Sequence, residues 1–83
     1  MPKVRFALAM PPSHMTWQEY LDAVRALDAM RYETFWTFDH LMPIFGDMDG
    51  SNFECYTTMA ALAQATSRIR IGALVTGVAY RNP

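Results

Sequence analysis

The chain has 83 residues, which allows one small domain that buries about 60% of its unfolded surface. Seven basic and eight acidic residues give a formal net charge of -1, and their scattered positions exclude the basic surface of a nucleic-acid-binding protein. No apolar run approaches the ~20 residues of a transmembrane helix, the start lacks the apolar core of a signal peptide, and Cys55 is the only cysteine. We therefore expect a cytoplasmic protein with no disulfide framework and with neither nucleic acid nor a membrane as partner.

A strand followed by a helix is predicted at the start of the chain. Residues 4–10 are apolar apart from one arginine, and two prolines then end the strand. Thr16 and Glu19 have the spacing of a capping box, in which each side chain bonds the backbone amide of the other residue. Apolar residues at helical spacing predict a helix that runs to about Met30. No glycine ends this helix, so Arg31 is predicted to adopt a left-handed backbone conformation.

The second predicted strand ends directly in an acid and a histidine. It opens at Glu33 or Thr34, ends at Phe38, and leads through Asp39 and His40 into a long loop with proline and glycine. Buried strands of parallel sheets end in this way where their carboxyl ends carry polar chemistry. A carboxylate beside an imidazole can orient the ring and make it a general base or a proton donor near neutral pH. Spacing alone leaves open the alternative that Asp39 only accepts backbone amides at an ordinary loop start.

A second helix and a third strand follow the loop. Ser51-Asn52-Phe53-Glu54 has the form of another capping box, and a helix is predicted over about residues 52–65. A strand over residues 69–75 comes next, and residues 76–83 form a final loop. This order predicts an α/β fold with a parallel βαβαβ sheet, whose strands end at one edge where such folds bind ligands. The polar residues expected in or beside those strand ends are His14, Asp39, His40, Thr76 and Tyr80.

The long loop carries no metal-binding pattern. Asp47-x-Asp49-Gly50 begins like a calcium loop, but Thr58 stands where the twelfth position requires glutamate. His14 is more simply read as a loop residue than as a ligand. We therefore predict no metal site in this chain.

Five segments of the chain resemble the start of the bacterial-luciferase-like monooxygenase family, and in particular its branch that uses the deazaflavin F420. The segments are Phe6-Ala7-Leu8 before the two prolines, Trp36-Thr37-Phe38-Asp39-His40-Leu41, and residues 57–63, 66–72 and 74–83. They lie in the family's order and with its gaps. The most specific of them is Thr66-Ser67-Arg68-Ile69-Arg70-Ile71-Gly72 leading to Tyr80-Arg81-Asn82-Pro83.

The resemblance implies a TIM (β/α)8 barrel with a flavin-type cofactor over the carboxyl ends of its strands, F420 or, as the alternative, FMN. Asp39 would lie at the edge of that cofactor, and His40 would be the active-site histidine, in proton transfer or substrate binding. The family often has a non-prolyl cis peptide after the third strand, which would fall at Ala73-Leu74 here. Thr76 would be a nearby cofactor contact.

Two residues depart from the family. Ile44 stands where some F420-dependent dehydrogenases carry tryptophan, so their alcohol or sugar-phosphate chemistry is not carried over. Arg31 stands where the family usually has glycine. A complete barrel needs about 250 residues, so we expect residues 1–83 to supply three of the eight strands as the N-terminal part of such a domain.

Two functions remain open from the sequence. The first is an oxidoreductase that transfers hydride or oxygen to a small organic substrate, with this chain as its N-terminal part. The second is a truncated, non-catalytic βαβαβ module that associates with itself or pairs with a partner chain, because open parallel edges invite association.

Overall fold

The computed structural model describes residues 3–82 and contains three strands and two helices. Their order is β1 (Ala7–Ala9), α1 (Trp17–Ala29), β2 (Thr34–Thr37), α2 (Cys55–Ala65) and β3 (Arg70–Ala73). The strands form one parallel sheet in the order β1-β2-β3, which confirms the predicted α/β class and the βαβαβ topology. Within residues 3–82, neither helix is long and apolar enough to cross a membrane.

The register of the sheet separates a face covered by helices from an opposite face. Phe35 of β2 pairs with Ile71 of β3, and the next level joins Trp36 to Gly72. Successive side chains of a strand point to opposite faces, so Phe35 and Trp36 lie on different sides. Phe35 is fully buried beside Tyr20 of α1, with ring centroids 5.7 Å apart. Helices α1 and α2 therefore cover the Phe35 face, and Trp36 lies across Gly72 on the other.

The core lies between this sheet face and the two helices. Helix α1 has charged residues on its outer positions and presents an apolar stripe to the sheet, as an amphipathic helix does. Small residues of α2 allow a close approach to β3. The buried apolar cluster consists of Tyr20, Val24, Leu27, Phe35, Leu62 and Ile69.

Helix α1 forms as predicted from the sequence. The Thr16 side chain accepts a hydrogen bond from the Glu19 amide at 3.1 Å, and the Thr16 amide donates to the Glu19 carboxylate at 2.8 Å. Both hydrogen bonds of the predicted capping box are therefore formed. Arg31 has a φ of 66°, which confirms the predicted left-handed conformation after the helix.

The strands are shorter than predicted. Strand β1 covers residues 7–9 rather than 4–10, β2 begins at the predicted Thr34 but ends at Thr37 rather than Phe38, and β3 covers residues 70–73 rather than 69–75. Strands β1 and β3 both pair with β2, so the length of β2 limits the paired length of both outer strands. The Glu33 amide bonds the Phe6 carbonyl at 2.9 Å and the Met10 amide bonds the Trp36 carbonyl at 3.0 Å, which are the last bonds on either side of β1.

The predicted second capping box is wrong. Helix α2 begins at Cys55, and its N-cap is Glu54, whose carboxylate accepts from the amides of Tyr56 and Thr57. Residues 51–53 are instead drawn to the loop after β1, because the Ser51 carbonyl accepts from the His14 amide at 3.0 Å and the Phe53 amide donates to the Pro12 carbonyl at 2.7 Å. These long-range bonds hold residues 51–53 outside the helix.

Candidate active site

A cleft of ≈ 320 Å³ lies at the carboxyl edge of the sheet. Three segments of the chain line it: the residues just after β2, the start of α2, and the segment that follows β3. The lining residues are Asp39, His40, Leu41, Asn52, Glu54, Cys55, Tyr80 and Arg81. The position agrees with the edge at which α/β folds bind ligands.

The Asp39 carboxylate is buried in this cleft, and three donors hold it. Arg81 donates to it twice, from Nε at 2.9 Å and from a terminal nitrogen at 2.7 Å, and the Gly77 amide donates at 2.7 Å. The Arg81 hydrogen bonds, aided by the Gly77 amide, lower the pKa of Asp39 below its ordinary value despite burial. The carboxylate is therefore ionised and fully engaged at neutral pH.

The Asp39 carboxylate bonds Gly77 and Arg81 rather than the neighbouring His40 ring. Among residues 3–82, no hydrogen bond involves the His40 imidazole, and the bond at this residue is to its backbone carbonyl. The ring is exposed, and its edge faces Phe38 with centroids 5.9 Å apart. The backbone is fixed instead, since the Asn52 side chain donates to the His40 carbonyl at 2.8 Å. The chemical roles of His40 and Asp39 stay predictions.

Glu54 is the second carboxylate that binds Arg81. One of its oxygens accepts from the Arg81 guanidinium, and the other accepts from the Thr57 amide and hydroxyl at 2.8 and 2.7 Å. The Arg81 hydrogen bond and then the Thr57 bonds lower the pKa of Glu54 to about 2. Glu54 therefore caps α2 and binds the arginine of another segment at the same time.

The sequence interpretation gave no role to Arg81 and placed Glu54 in the wrong capping motif. Arg81 bonds one residue that lies 42 positions earlier in the chain and another that lies 27 positions earlier. Contacts at such separations produce no recognisable pattern in the local sequence. The sequence did contain one indication. Arg81 is the single arginine after β3, and Asp39 follows the neighbouring strand β2, so the topology brings the two residues to the same edge of the sheet.

Three residues at the end of β3 and just after it are predicted to contact a cofactor. Ala73 is the last residue of β3, and Thr76 lies beyond it, with its hydroxyl 2.7 Å from the Tyr56 hydroxyl. The cis peptide bond joins Leu74 to Val75, not Ala73 to Leu74 as predicted. The reason is that the Leu74 amide still donates to the Thr37 carbonyl at 2.8 Å, which keeps the Ala73-Leu74 peptide in the ladder. Cofactor contacts of Ala73, Leu74 and Thr76 stay predictions.

Tyr80 and His14, the other two polar residues expected at this edge, form hydrogen bonds to backbone carbonyls of loop residues. The Tyr80 hydroxyl donates to the Asp39 carbonyl. His14 has a φ of 59°, and its Nε2 lies 2.7 Å from the Phe45 carbonyl, to which it donates. The His14 ring fills the space above Gly46 and Gly50, so close that a Cβ at Gly50 would lie 2.4 Å from it. His14 is therefore a loop residue that joins the loop after β1 to the long loop.

The described part of the chain gives the cleft neither a group of metal ligands nor a reactive thiol. Residues 3–82 contain no group of three or more His, Cys, Asp or Glu side chains that could hold a metal ion. The Cys55 side chain is buried, and burial raises the pKa of its thiol to about 11. The thiol is therefore protonated at neutral pH and is a poor nucleophile.

A parallel βαβαβ sheet with a polar cleft at its carboxyl edge defines the chain as an α/β protein. The family model for the luciferase-like monooxygenases matches residues 3–83. The chain therefore belongs to the luciferase-like monooxygenase family, and its strands are three of the eight of a TIM-barrel fold. No curated protein and no solved structure matches the chain. The predicted family is confirmed, whereas the F420 branch stays a prediction.

Proposed function

We propose that this domain is the cofactor-facing part of an oxidoreductase, which binds F420 or FMN at the carboxyl edge of its sheet and acts on a small organic substrate. The observation that carries the proposal is the family match over residues 3–83, joined to a cleft at the edge where such barrels bind ligands. The resemblance of the five segments together to the deazaflavin branch favours F420 over FMN.

The residues at this edge fit a flat and mostly apolar ring with polar rims. Leu41 is 75% exposed just after β2, and Leu74 and Val75 are 44% and 68% exposed just after β3. Ligand sites of this kind combine apolar walls with a few polar groups that fix orientation. The Trp36 ring fills the space over Gly72 deeper in the sheet, so a ligand ring would lie beyond it, toward the strand ends.

The bound cofactor would supply hydride or activate oxygen, and the protein would supply binding, orientation and proton movement. His40 is the residue suited to the proton, because its imidazole is exposed at the cleft and bonds no other side chain of residues 3–82. Asp39 would act by position, since Arg81 and Gly77 occupy its carboxylate. Ala73, Leu74 and Thr76 would contact the ring.

Fluorescence titration of the purified chain with F420, and separately with FMN, tests the proposal. We expect saturable quenching by the wild-type chain. Val75→Asp should weaken binding, because it places a charge against the apolar ring. Val4→Asp is the matched control: Val4 is 73% exposed, close to the 68% of Val75, but precedes β1 at the opposite edge.

Two outcomes would contradict the proposal. One is a wild-type chain that leaves the fluorescence of both cofactors unchanged. The other is an equal loss of binding in both valine variants, which would place the ligand away from the carboxyl edge. A chain that binds neither cofactor and sediments as an oligomer would instead support a non-catalytic module.

A further inference from the structure

Arg81 connects three separate segments of the chain around the cleft. Its guanidinium bonds Asp39, which follows β2, and Glu54, which caps α2, while Arg81 itself belongs to the segment after β3. The Asp39 side chain is 3% exposed and the Glu54 side chain 52%. One terminal nitrogen of the arginine therefore donates both to a buried carboxylate and to a carboxylate at the rim.

The same arginine lies on an aromatic ring that reaches the predicted cofactor contact. The guanidinium carbon is 4.0 Å from the centroid of the Tyr56 ring, a cation–π distance. The Tyr56 hydroxyl lies 2.7 Å from the Thr76 hydroxyl, and the Gly77 amide donates to Asp39 at 2.7 Å. Arg81 thus fixes both side chains, Tyr56 and Asp39, that bind the chain at positions 76 and 77.

We propose that Arg81 is a positioning residue that holds residues 74–80 in the conformation that receives the cofactor. The inference rests on the proposed function, because it concerns the same cleft. Nε and one terminal nitrogen of the guanidinium already bond the two carboxylates, and the group lies on the Tyr56 ring, so we assign Arg81 to positioning rather than to direct binding of a phosphate or an acidic substrate. Its effect on ligand binding therefore passes through the segment after β3.

The energetic reason is the buried carboxylate. Without Arg81, Asp39 would keep a single donor, the Gly77 amide, and a buried charge with so little compensation is strongly unfavourable. The segment after β3 would then rearrange to bring water or another donor to Asp39. Thr76 would move with it, and even a displacement of about 1 Å lowers the efficiency of a preorganised site.

The variants Arg81→Gln, Arg81→Lys and Arg25→Gln test the inference. Arg25 is the matched control, because it is an exposed arginine of α1 away from the cleft. We expect Arg81→Gln to raise the Kd for F420 or FMN on the order of tenfold, Arg81→Lys to recover part of that loss, and Arg25→Gln to bind like the wild type. A Kd for Arg81→Gln equal to that of the wild type would overturn the inference.

A second readout does not depend on the cofactor. The NMR shift of the Gly77 amide should report the titration of Asp39, with a midpoint below the ordinary 3.8 in the wild type and a higher midpoint in Arg81→Gln. An unchanged Gly77 shift and hydrogen-exchange rate in that variant would show that Arg81 does not hold the segment.

The two readouts separate the failures. If the wild-type chain binds neither cofactor while the Gly77 amide responds to Arg81→Gln, the proposed function fails and the cofactor role of Arg81 falls with it. If Arg81→Gln does not fold, Glu54→Gln keeps an oxygen for the α2 cap but removes the outer charge. This variant should weaken cofactor binding less than tenfold, and no change in either readout would contradict the inference.

Discussion

Asp39 and Arg81 form a bidentate ion pair across 42 residues of sequence, with hydrogen bonds of 2.7 and 2.9 Å. Their side chains are 3% and 23% exposed, so the arginine reaches from the rim to a buried acid. Glu54 completes the arrangement on the solvent side. A site built from one cation and two carboxylates responds to any change that protonates the acids or removes the arginine.

Acid should destabilise the folded chain below about pH 4.5. The Arg81 and Thr57 hydrogen bonds lower the pKa of Glu54 from 4.5 to about 2, and Arg81 lowers the pKa of Asp39 as well. The unfolded chain therefore binds more protons than the folded chain between these values. The free energy of unfolding falls as the pH falls through this window and is fully present above it. Urea unfolding at a series of pH values measures the slope.

Arg81→Gln supplies the test of the cause. In that variant the slope between pH 4.5 and 2 should be shallower, because both carboxylates return toward ordinary pKa values, while the Thr57 bonds preserve part of the Glu54 effect. Arg25→Gln should keep the wild-type slope. Equal slopes in all three proteins would show that the acid sensitivity has another origin.

Arg31→Gly should stabilise the chain. Arg31 has a φ of 66°, in a region that costs a residue with a Cβ about 1–2 kcal/mol and costs glycine nothing. Glycine also loses more entropy on folding, so we expect a net gain of about 0.5–1 kcal/mol in the free energy of unfolding. Thermal and urea unfolding measure it.

Met30→Gly is the control for Arg31→Gly, because Met30 is 61% exposed and has a φ of -79°, which any residue adopts. Glycine there should lower the free energy of unfolding by about 0.5–1 kcal/mol. Changes of the same sign at both positions would contradict the conformational argument.

Arg31 also shows what local sequence predicts well. The capping box at Thr16 and Glu19, the apolar stripe of α1 and the lack of a terminating glycine all lie within one short segment. Their physics is local, so the helix, its start and the left-handed residue after it could be predicted. The topology followed in turn, because helices between strands imply parallel pairing.

The start of α2 shows where such prediction fails. Ser51 and Phe53 bond the backbone of His14 and Pro12, about forty positions earlier in the chain, and these bonds outweigh a local capping pattern. The site has the same difficulty. Asp39 is adjacent to His40 in sequence, but its carboxylate bonds Arg81. Side chains of consecutive residues in extended backbone point in opposite directions, so adjacency in sequence does not bring the two side chains together.

Tyr20→Phe should destabilise the core by about 1–2 kcal/mol. Tyr20 is fully buried, and its hydroxyl donates to the Met10 carbonyl at 2.9 Å and lies 2.8 Å from the Thr37 hydroxyl. Phenylalanine keeps the ring contact with Phe35 but leaves the Met10 carbonyl and Thr37 without this partner. Chemical unfolding of the variant measures the loss.

Tyr32→Phe is the matched control, because the partly buried Tyr32 hydroxyl makes no hydrogen bond within residues 3–82. Its effect should stay within about 0.5 kcal/mol. A loss for Tyr20→Phe no larger than that of Tyr32→Phe would show that the buried hydroxyl adds nothing to stability.

Gly72→Ala should destabilise the sheet by about 1–3 kcal/mol. A Cβ at Gly72 would lie 2.6 and 2.8 Å from two atoms of the Trp36 ring, closer than atoms can approach, so the ring or the strand must shift. Trp36→Leu removes the ring that causes the clash. In that background Gly72→Ala should cost at least about 1 kcal/mol less, and a double-mutant cycle of urea unfolding measures this coupling. Additive effects of the two substitutions would mean that the Trp36 ring moves aside freely and is not the source of the clash.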